Sequence, residues 1–447
     1  MAFTQQFVLD VSGVHFINKT GTSGKKDRIP VDMISLLVDS NDCIYSCGKH
    51  YNDNVSPNDT QSHTIMKHSE LGHLVWQRDI GGADGNQNAV SEGGINEFPH
   101  GIAIHGDYIY TLGSGGTGVN DNYLFKYNRT TGDLQWKKEL TKGGEDIAAD
   151  SSGNVYICGD HTSGNTHYGW FCKFNSSGTL QWQKLISGLI DMKPIVIDSS
   201  DNIFICGRRQ DGSDQPATIY KFDTSASIIW KKNYHKAQYD RFYDIDFDSS
   251  GNIYVAGSSS NPILMKLNSS GTIQWCKKIG TTGNWAVPKQ RSYGVAVDSN
   301  NDIYIIGRNG PNKSNWKALI VKFNSSGTEQ WRRDFGITGT TIKNTGFEIA
   351  VDSRDNIVIQ GDHDNNTTHK SFFLARLPND GTKTATYNIG GASYVYGTCS
   401  ESFTIGDLTG WTTTTPSATV SNASLQTVSN SSLDNNSYTA TSTTVII

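Results

Sequence analysis

Two segments carry the residue types of a metal site. "GDHTSGNTH" at 159–167 and "GDHDNNTTH" at 361–369 share Gly-Asp-His and a second His six residues on. Asp160, His161 and His167, or Asp362, His363 and His369, would offer one carboxylate and two imidazoles to a divalent metal. The plainer alternative is that copied repeats keep copied loops, each His bonding backbone. On that reading no metal and no cofactor is expected. A second chemistry is sugar stacking. Tyr51, Tyr168, Trp170, Tyr234, Tyr239, Trp285 and Trp316 lie in stretches rich in Asn, Asp, Gly and His. Aromatic faces stack on sugar C–H surfaces while Asn and Asp bond hydroxyls, so these seven are the candidate ligand-binding residues. Loop composition alone would also supply Asn, Asp and Gly.

Catalysis has thinner support. A glycosidase needs two carboxylates facing one pocket. Glu is scarce, most Asp falls in turns, and only Glu145 and Glu348 qualify as candidates. The chain shows no nucleophile elbow, Walker loop or HExxH. No catalytic residue is assigned, and a non-enzymatic role is expected.

The elements that must position these residues are repeated. "KFNSSGT" at 173–179 recurs letter for letter at 322–328, with "KLNSSGT" at 266–272 and "KYNRTTG" at 126–132. A second phrase precedes each copy: "ADSSGNVYICG" at 149–159, "IDSSDNIFICG" at 197–207, "FDSSGNIYVAG" at 247–257, "VDSNNDIYIIG" at 297–307. Both phrases read as strand, polar turn, strand. Each unit is therefore two hairpins, or four strands. The basic residue before the second turn counts seven units: Lys67, Lys126, Lys173, Lys221, Lys266, Lys322 and Arg376. The mean spacing is about 52 residues, and four strands at such a period is the mark of a β-propeller.

The expected fold is therefore all-β: a seven-bladed β-propeller of four-stranded blades over 31–390. A small N-terminal arm (1–30, with a hairpin around "FVLDVSGVHFIN") precedes it, and a β-prone Ser/Thr/Asn-rich extension (391–447) follows. Trp76, Trp136, Trp182, Trp230, Trp275 and Trp331 end the fourth strand of six units and should be equivalent, largely buried and between blades. Ala385 replaces them in the seventh, which marks the closure point. The Lys row should pair with the repeated turn Asp. Asn175, Asn268 and Asn324 form glycosylation triplets, but they coincide with turns.

Composition narrows the class. A formal charge of −5 with 18% charged residues and no basic run argues against nucleic acid. No stretch has the length of a membrane-spanning helix. "MAFTQQFVLDVSGVHF" lacks the basic lead and apolar core of a signal peptide, so synthesis in a cytoplasm without export is expected. Seven cysteines fit a reduced origin. Cys47, Cys158 and Cys206 share one slot, filled elsewhere by Leu112, Ala256, Ile306 and Gln360, so packing is expected of them. The extension has few charges yet spaced apolar residues. Its strands should pair with the outer edge of the propeller, another copy or a further protein.

These phrases resemble the bacterial β-propeller repeat, kin of NHL-type repeats, over about 31–390. "FNSSGT" followed by "QW", and the Ser/Thr/Asn-rich ending, are also similar to virion structural proteins of marine cyanophages. That resemblance implies a virion component on tail, fibre or capsid, made in the host cytoplasm. Its partners would be other virion proteins and host cell-surface polysaccharide, with host attachment through the variable loops. Homo-oligomerisation through the C-terminal extension is expected too. A quinoprotein dehydrogenase would share the blade-ending Trp but needs eight blades and a vicinal Cys pair. The alternative is a bacterial surface or extracellular binding propeller, then a carbohydrate-active enzyme.

Overall fold

Short runs of alternating apolar residues, broken by Asn, Asp and Gly, make strands here and no helix among the described residues. A computed structural model describes residues 16–20, 29–52, 60–80, 98–114, 122–163, 166–210, 215–237, 240–259, 262–279, 294–312, 315–337, 343–364, 370–389, 392–399, 405–410, 412–416, 419–422, 428–430, 436–437 and 442–446. Contact density divides the chain into two compact halves. One comprises 1–94, 279–405 and 434–447; the other comprises 95–278 and 406–433.

Each repeat is an antiparallel meander. In the third, Asp146–Ala149, Val155–Ser163, Thr166–Phe174 and Leu180–Ser187 pair in chain order. The first, second, fourth and fifth repeats follow the same plan, each in its own sheet. The expectation of seven separate blades is corrected. Five sheets stand apart, and the sixth and seventh repeats share an 11-stranded sheet. The cause is a parallel bridge between Trp316 and Lys343, which carries hydrogen bonding from one meander into the next.

The turns explain the repeated wording. Asp150 Oδ1 accepts the N–H groups of Ser152 (3.0 Å) and Asn154 (2.8 Å), as an Asx turn does. Asp39, Asp198, Asp248, Asp298 and Asp352 do the same. Asn175, Asn268 and Asn324 cap the second turn in the same way, so turn chemistry accounts for the three triplets.

The other carboxylate oxygen reaches inward. Asp150, Asp248 and Asp298 accept the hydroxyls of Tyr156 (2.9 Å), Tyr254 (3.1 Å) and Tyr304 (2.9 Å). Most of the Lys row pairs with this Asp: Lys173–Asp150 3.7 Å, Lys221–Asp198 3.2 Å, Lys266–Asp248 3.7 Å, and Arg376–Asp352 3.1 Å; Lys126, whose repeat carries His105 in place of the Asp, donates instead to the Ser176 carbonyl at 2.8 Å. Each Lys lies opposite the Trp of the next strand, as Lys322 opposite Trp331. The indole tilts onto the Tyr ring at about 6 Å, an edge-favouring geometry.

The Trp also touches the following repeat. A Cβ on Gly271 would lie 2.9 Å from Trp230, and one on Gly381 2.8 Å from Trp331. Trp331 Nε1 donates to the Asn379 carbonyl at 3.1 Å. Trp76 is buried at 7% exposure and the other five are half-buried, so none of the six indoles stands in solvent, as expected. Cys47, Cys158 and Cys206 are fully buried and unbridged, as a packing slot requires.

The ends of the chain complete the sheets. Phe16–Thr20 pairs with Lys370–Leu377 and supplies the fourth strand of the seventh repeat. It also pairs with Ser442–Ile446, not with a hairpin partner in the arm; residues 1–15 lie outside the described residues. Ala385–Ile389 and Ala392–Thr398 form a hairpin on the outer strand of the sixth repeat, spanning the expected boundary at 390.

Candidate functional site

The fourth repeat departs from the pattern at its inner strand. Leu189–Ile190 and Ile195–Ile197 both pair with Ile203–Arg209 but are separated by "DMKP". Asp191 has a φ of 51°, and the Lys193–Pro194 bond is cis. The freed N–H groups of Asp191 and Met192 donate to the two carboxylate oxygens of Asp160 at 2.9 and 3.1 Å. The Asp191 carboxylate accepts from Arg208 Nε at 2.6 Å and faces Arg241 at 3.1 Å. Lys193 Nζ donates to the His100 carbonyl at 3.2 Å, and the His100 ring lies 3.7 Å from Glu145. Asp146 accepts the N–H of Ile195 at 3.0 Å. Repeats two to five each contribute a side chain to this cluster.

Its electrostatics follow from partial enclosure. Burial lifts the Asp160 carboxyl to about 6, against the pull of the Met192 and Asp191 N–H groups; the Asp191 and Glu145 charges add to the rise. Asp146 is raised too, by burial, with Lys193 opposing. Burial pushes the Cys158 thiol far up, and its Sγ points at the Met192 carbonyl at 3.2 Å. Glu145, Asp191 and Arg241 keep 43%, 44% and 37% of their side-chain surface open, so solvent reaches both acceptors and a donor. This is hydrogen-bonding chemistry suited to a polyhydroxyl or amide-bearing ligand.

The candidate metal ligands at 159–167 do not converge. Asp160, His161 and Thr162 pair with Gly169, Tyr168 and His167, so alternation turns His161 to the face opposite Asp160. His161 stacks on Tyr168 at 6.2 Å, and His167 Nδ1 lies 3.1 Å from Thr162 Oγ1. Asp362 is buried; the His363 side chain and His369 lie outside the described residues. Among the described residues no three metal-ligating side chains converge.

Two of the seven aromatics are corrected. Trp170 (1% exposed) and Tyr234 (0%) fall on strands and point into the core, and the Tyr234 hydroxyl donates to the Gly271 carbonyl at 2.7 Å. Tyr168 is half-buried beside His161. Trp316 is half-buried in the other half, with Arg308 over its ring at 4.2 Å, Lys343 at 5.5 Å, and Nε1 donating to Thr345 Oγ1 at 3.1 Å. Tyr51 lies on Ile44–Asn52 with its side chain outside the described residues, as are Tyr239 and Trp285 entirely. Glu145 and Glu348 belong to different halves. Sequence reasoning missed His100, Asp191, Lys193, Arg208 and Arg241; the Pro inside an otherwise repeated strand was the available signal.

The meanders, their capped turns and the blade-ending Trp define a β-propeller repeat protein. Residues 120–371, more than half of the chain, match the protein-family model PQQ_2, described as outer membrane protein assembly factor BamB, and the chain belongs to this family. No curated protein matches it. Among solved structures, the Pan2 WD40 domain of Neurospora crassa is 10% identical, with 78% of this chain and 90% of that one covered at a TM-score of 0.44. A protein of unknown function from Bacteroides caccae is 12% identical, with coverages of 72% and 93% and a TM-score of 0.37. A subtype N11 neuraminidase-like protein of A/flat-faced bat/Peru is 11% identical, with coverages of 67% and 93% and a TM-score of 0.41. The propeller-repeat resemblance is thus met; the phage resemblance rests on the wording of the sequence.

Proposed function

We propose that the chain is a non-enzymatic virion structural protein built from propeller repeats, with a loop face that binds host-surface polysaccharide. The carrying observation is the division of labour among side chains. The repeated Asp, Lys, Trp and Gly are engaged in holding repeats together. The Asp191–Arg208–Arg241 cluster lies on residues that the repeat does not dictate, where binding on rigid scaffolds usually resides. The test has two arms. Mass spectrometry of purified virions should find the chain at stoichiometric copy number; its absence sinks the virion assignment. A glycan array should show a hit that weakens about tenfold in Arg241→Ala, as loss of a binding anchor would. An unchanged hit moves the site elsewhere.

The family match over 120–371 favours a second reading, a bacterial envelope or extracellular binding propeller. Recovery of the chain from a bacterial envelope fraction, and not from particles, would select it.

A further inference from the structure

The residues after the seventh repeat keep step with the repeats. Their strands are Ile405–Asp407, Thr412–Thr414, Val420–Asn422, Val428–Asn430, Asn436–Ser437 and Ser442–Ile446. Two adjacent segments read "VSNASLQT" at 420–427 and "VSNSSLDN" at 428–435, and the same three letters of each form the strand. Each strand docks on a different repeat, in reverse chain order. Ile405–Asp407 joins the fifth, Thr412–Thr414 the fourth, Val420–Asn422 the third, Val428–Asn430 the second and Asn436–Ser437 the first. Ser442–Ile446 joins the seventh through Phe16–Thr20, and Ala392–Thr398 already covers the sixth. Every repeat but the sixth therefore receives one strand from this segment.

The docking is specific. Leu408 donates its N–H to the Cys276 carbonyl at 2.9 Å and packs against the core containing Phe242 and Met265. Lys277 and Asp407 form an ion pair at 2.5 Å. Ser187 donates its N–H to the Thr419 carbonyl at 3.1 Å, and Val420 packs against the core containing Ile186 and Ile195.

We propose that residues 405–446 are a strap, stepped by eight residues between its strands at 412, 420, 428 and 436, that seals the outer edge of every repeat but the sixth and locks the fold by pairing with the N-terminal strand. An outer strand without this partner would present a row of unpaired N–H and C=O groups, a template for another copy of the chain. The strap is mostly Ser, Thr and Asn, so it adds many hydrogen bonds and little apolar burial. Its effect should therefore fall on opening and edge exposure more than on the interior of the repeats. Phe16–Thr20 lies between Lys370–Leu377 and Ser442–Ile446, so the last pairing also fastens the other end of the chain.

Hydrogen exchange on the full chain tests this. Ser421→Pro, opposite Leu185, should expose the amides of 184–187 and leave 138–140 protected. Deleting 420–427 removes one octad and leaves the strap one repeat short. Amides of 16–20 should then lose protection, cleavage by a nonspecific protease should rise about tenfold, and the chain should self-associate. Amides of Val155–Ser163 should stay protected, which shows that the repeats remain folded. Replacing 423–427 by a Gly/Ser linker of equal length should keep 16–20 protected. Wild-type protection of 16–20 after the octad deletion overturns the graduated strap. Unchanged proteolysis and association overturn the sealing role.

Discussion

Ser353 and Asp42, 311 positions apart, share two hydrogen bonds: the Ser353 N–H donates to Oδ1 at 2.8 Å and its hydroxyl to Oδ2 at 2.9 Å. The same latch joins Ser151 to Asp201 (2.9 and 2.6 Å) and Ser299 to Asp355 (2.9 and 2.7 Å). Each receiving Asp has a left-handed φ, 59°, 61° and 63°, at the turn position that Gly153 and Gly251 fill in other repeats.

This latch fastens the last repeat to the first. Ser353→Ala removes the hydroxyl bond and should cost about 1 kcal/mol, whereas Asp42→Ala strips both bonds and should cost about 2–3 kcal/mol. Denaturant midpoints at neutral pH compare the two. Equal midpoints would show that the carboxylate contributes nothing beyond the hydroxyl.

Trp331 needs Gly381 beneath it. Gly381→Ala places a methyl 2.8 Å from the indole at φ +71°, whereas Gly251→Ala has φ +76° and nothing within 4 Å. The backbone cost is shared at about 1 kcal/mol, so Gly381→Ala should lose about 1–3 kcal/mol more through overpacking. Thermal unfolding of the two variants side by side isolates the packing contribution.

Burial holds the imidazoles of His63 and His68 down at about 3 and about 4. Both stay neutral in the fold while the unfolded chain protonates them near 6.5. Stability present above that value is lost as pH falls toward 4. At pH 5 each should cost about 2 kcal/mol relative to pH 7. His68→Leu should flatten the fall between pH 7 and pH 5 in urea titrations; an unchanged slope would place the acid sensitivity elsewhere.

Asp160 has the opposite sign. Its carboxyl is raised from 3.8 to about 6, so the fold holds the proton longer than the unfolded chain does. The protonated form is favoured at low pH, and stability from this group declines as pH rises through the interval from 3.8 to about 6. Asp160→Asn should remove that decline in the same interval. Carboxyl chemical shifts should show a midpoint near 6 in the parent protein.

Much of the framework was legible because it is local. The Asp and Asn turns close within four residues, and the Lys–Asp pair joins adjacent strands, so composition and spacing suffice to find them. The Cys slot was legible for the same reason: one position in a repeated strand keeps one environment. Trp170 and Tyr234 were misplaced because a loop-like neighbourhood says nothing of which way a strand residue faces. The "DMKP" interruption was visible in the chain, but not the carboxylate to which its N–H groups would turn.

By itself the sequence determined the repeat, the capped turns, the side chains that knit one repeat to the next and a β-prone polar ending. These depend on residues a few positions or one period apart. The tertiary structure alone decided which outer edge each C-terminal strand covers and that the N-terminal strand completes the seventh repeat. It also joined Arg208 and Arg241 on one carboxylate. Backbone pairing is nearly indifferent to side-chain identity in a Ser/Thr/Asn segment, so many edges would accept these strands. Register and partner follow from chain connectivity and from where the folded repeats leave their edges open.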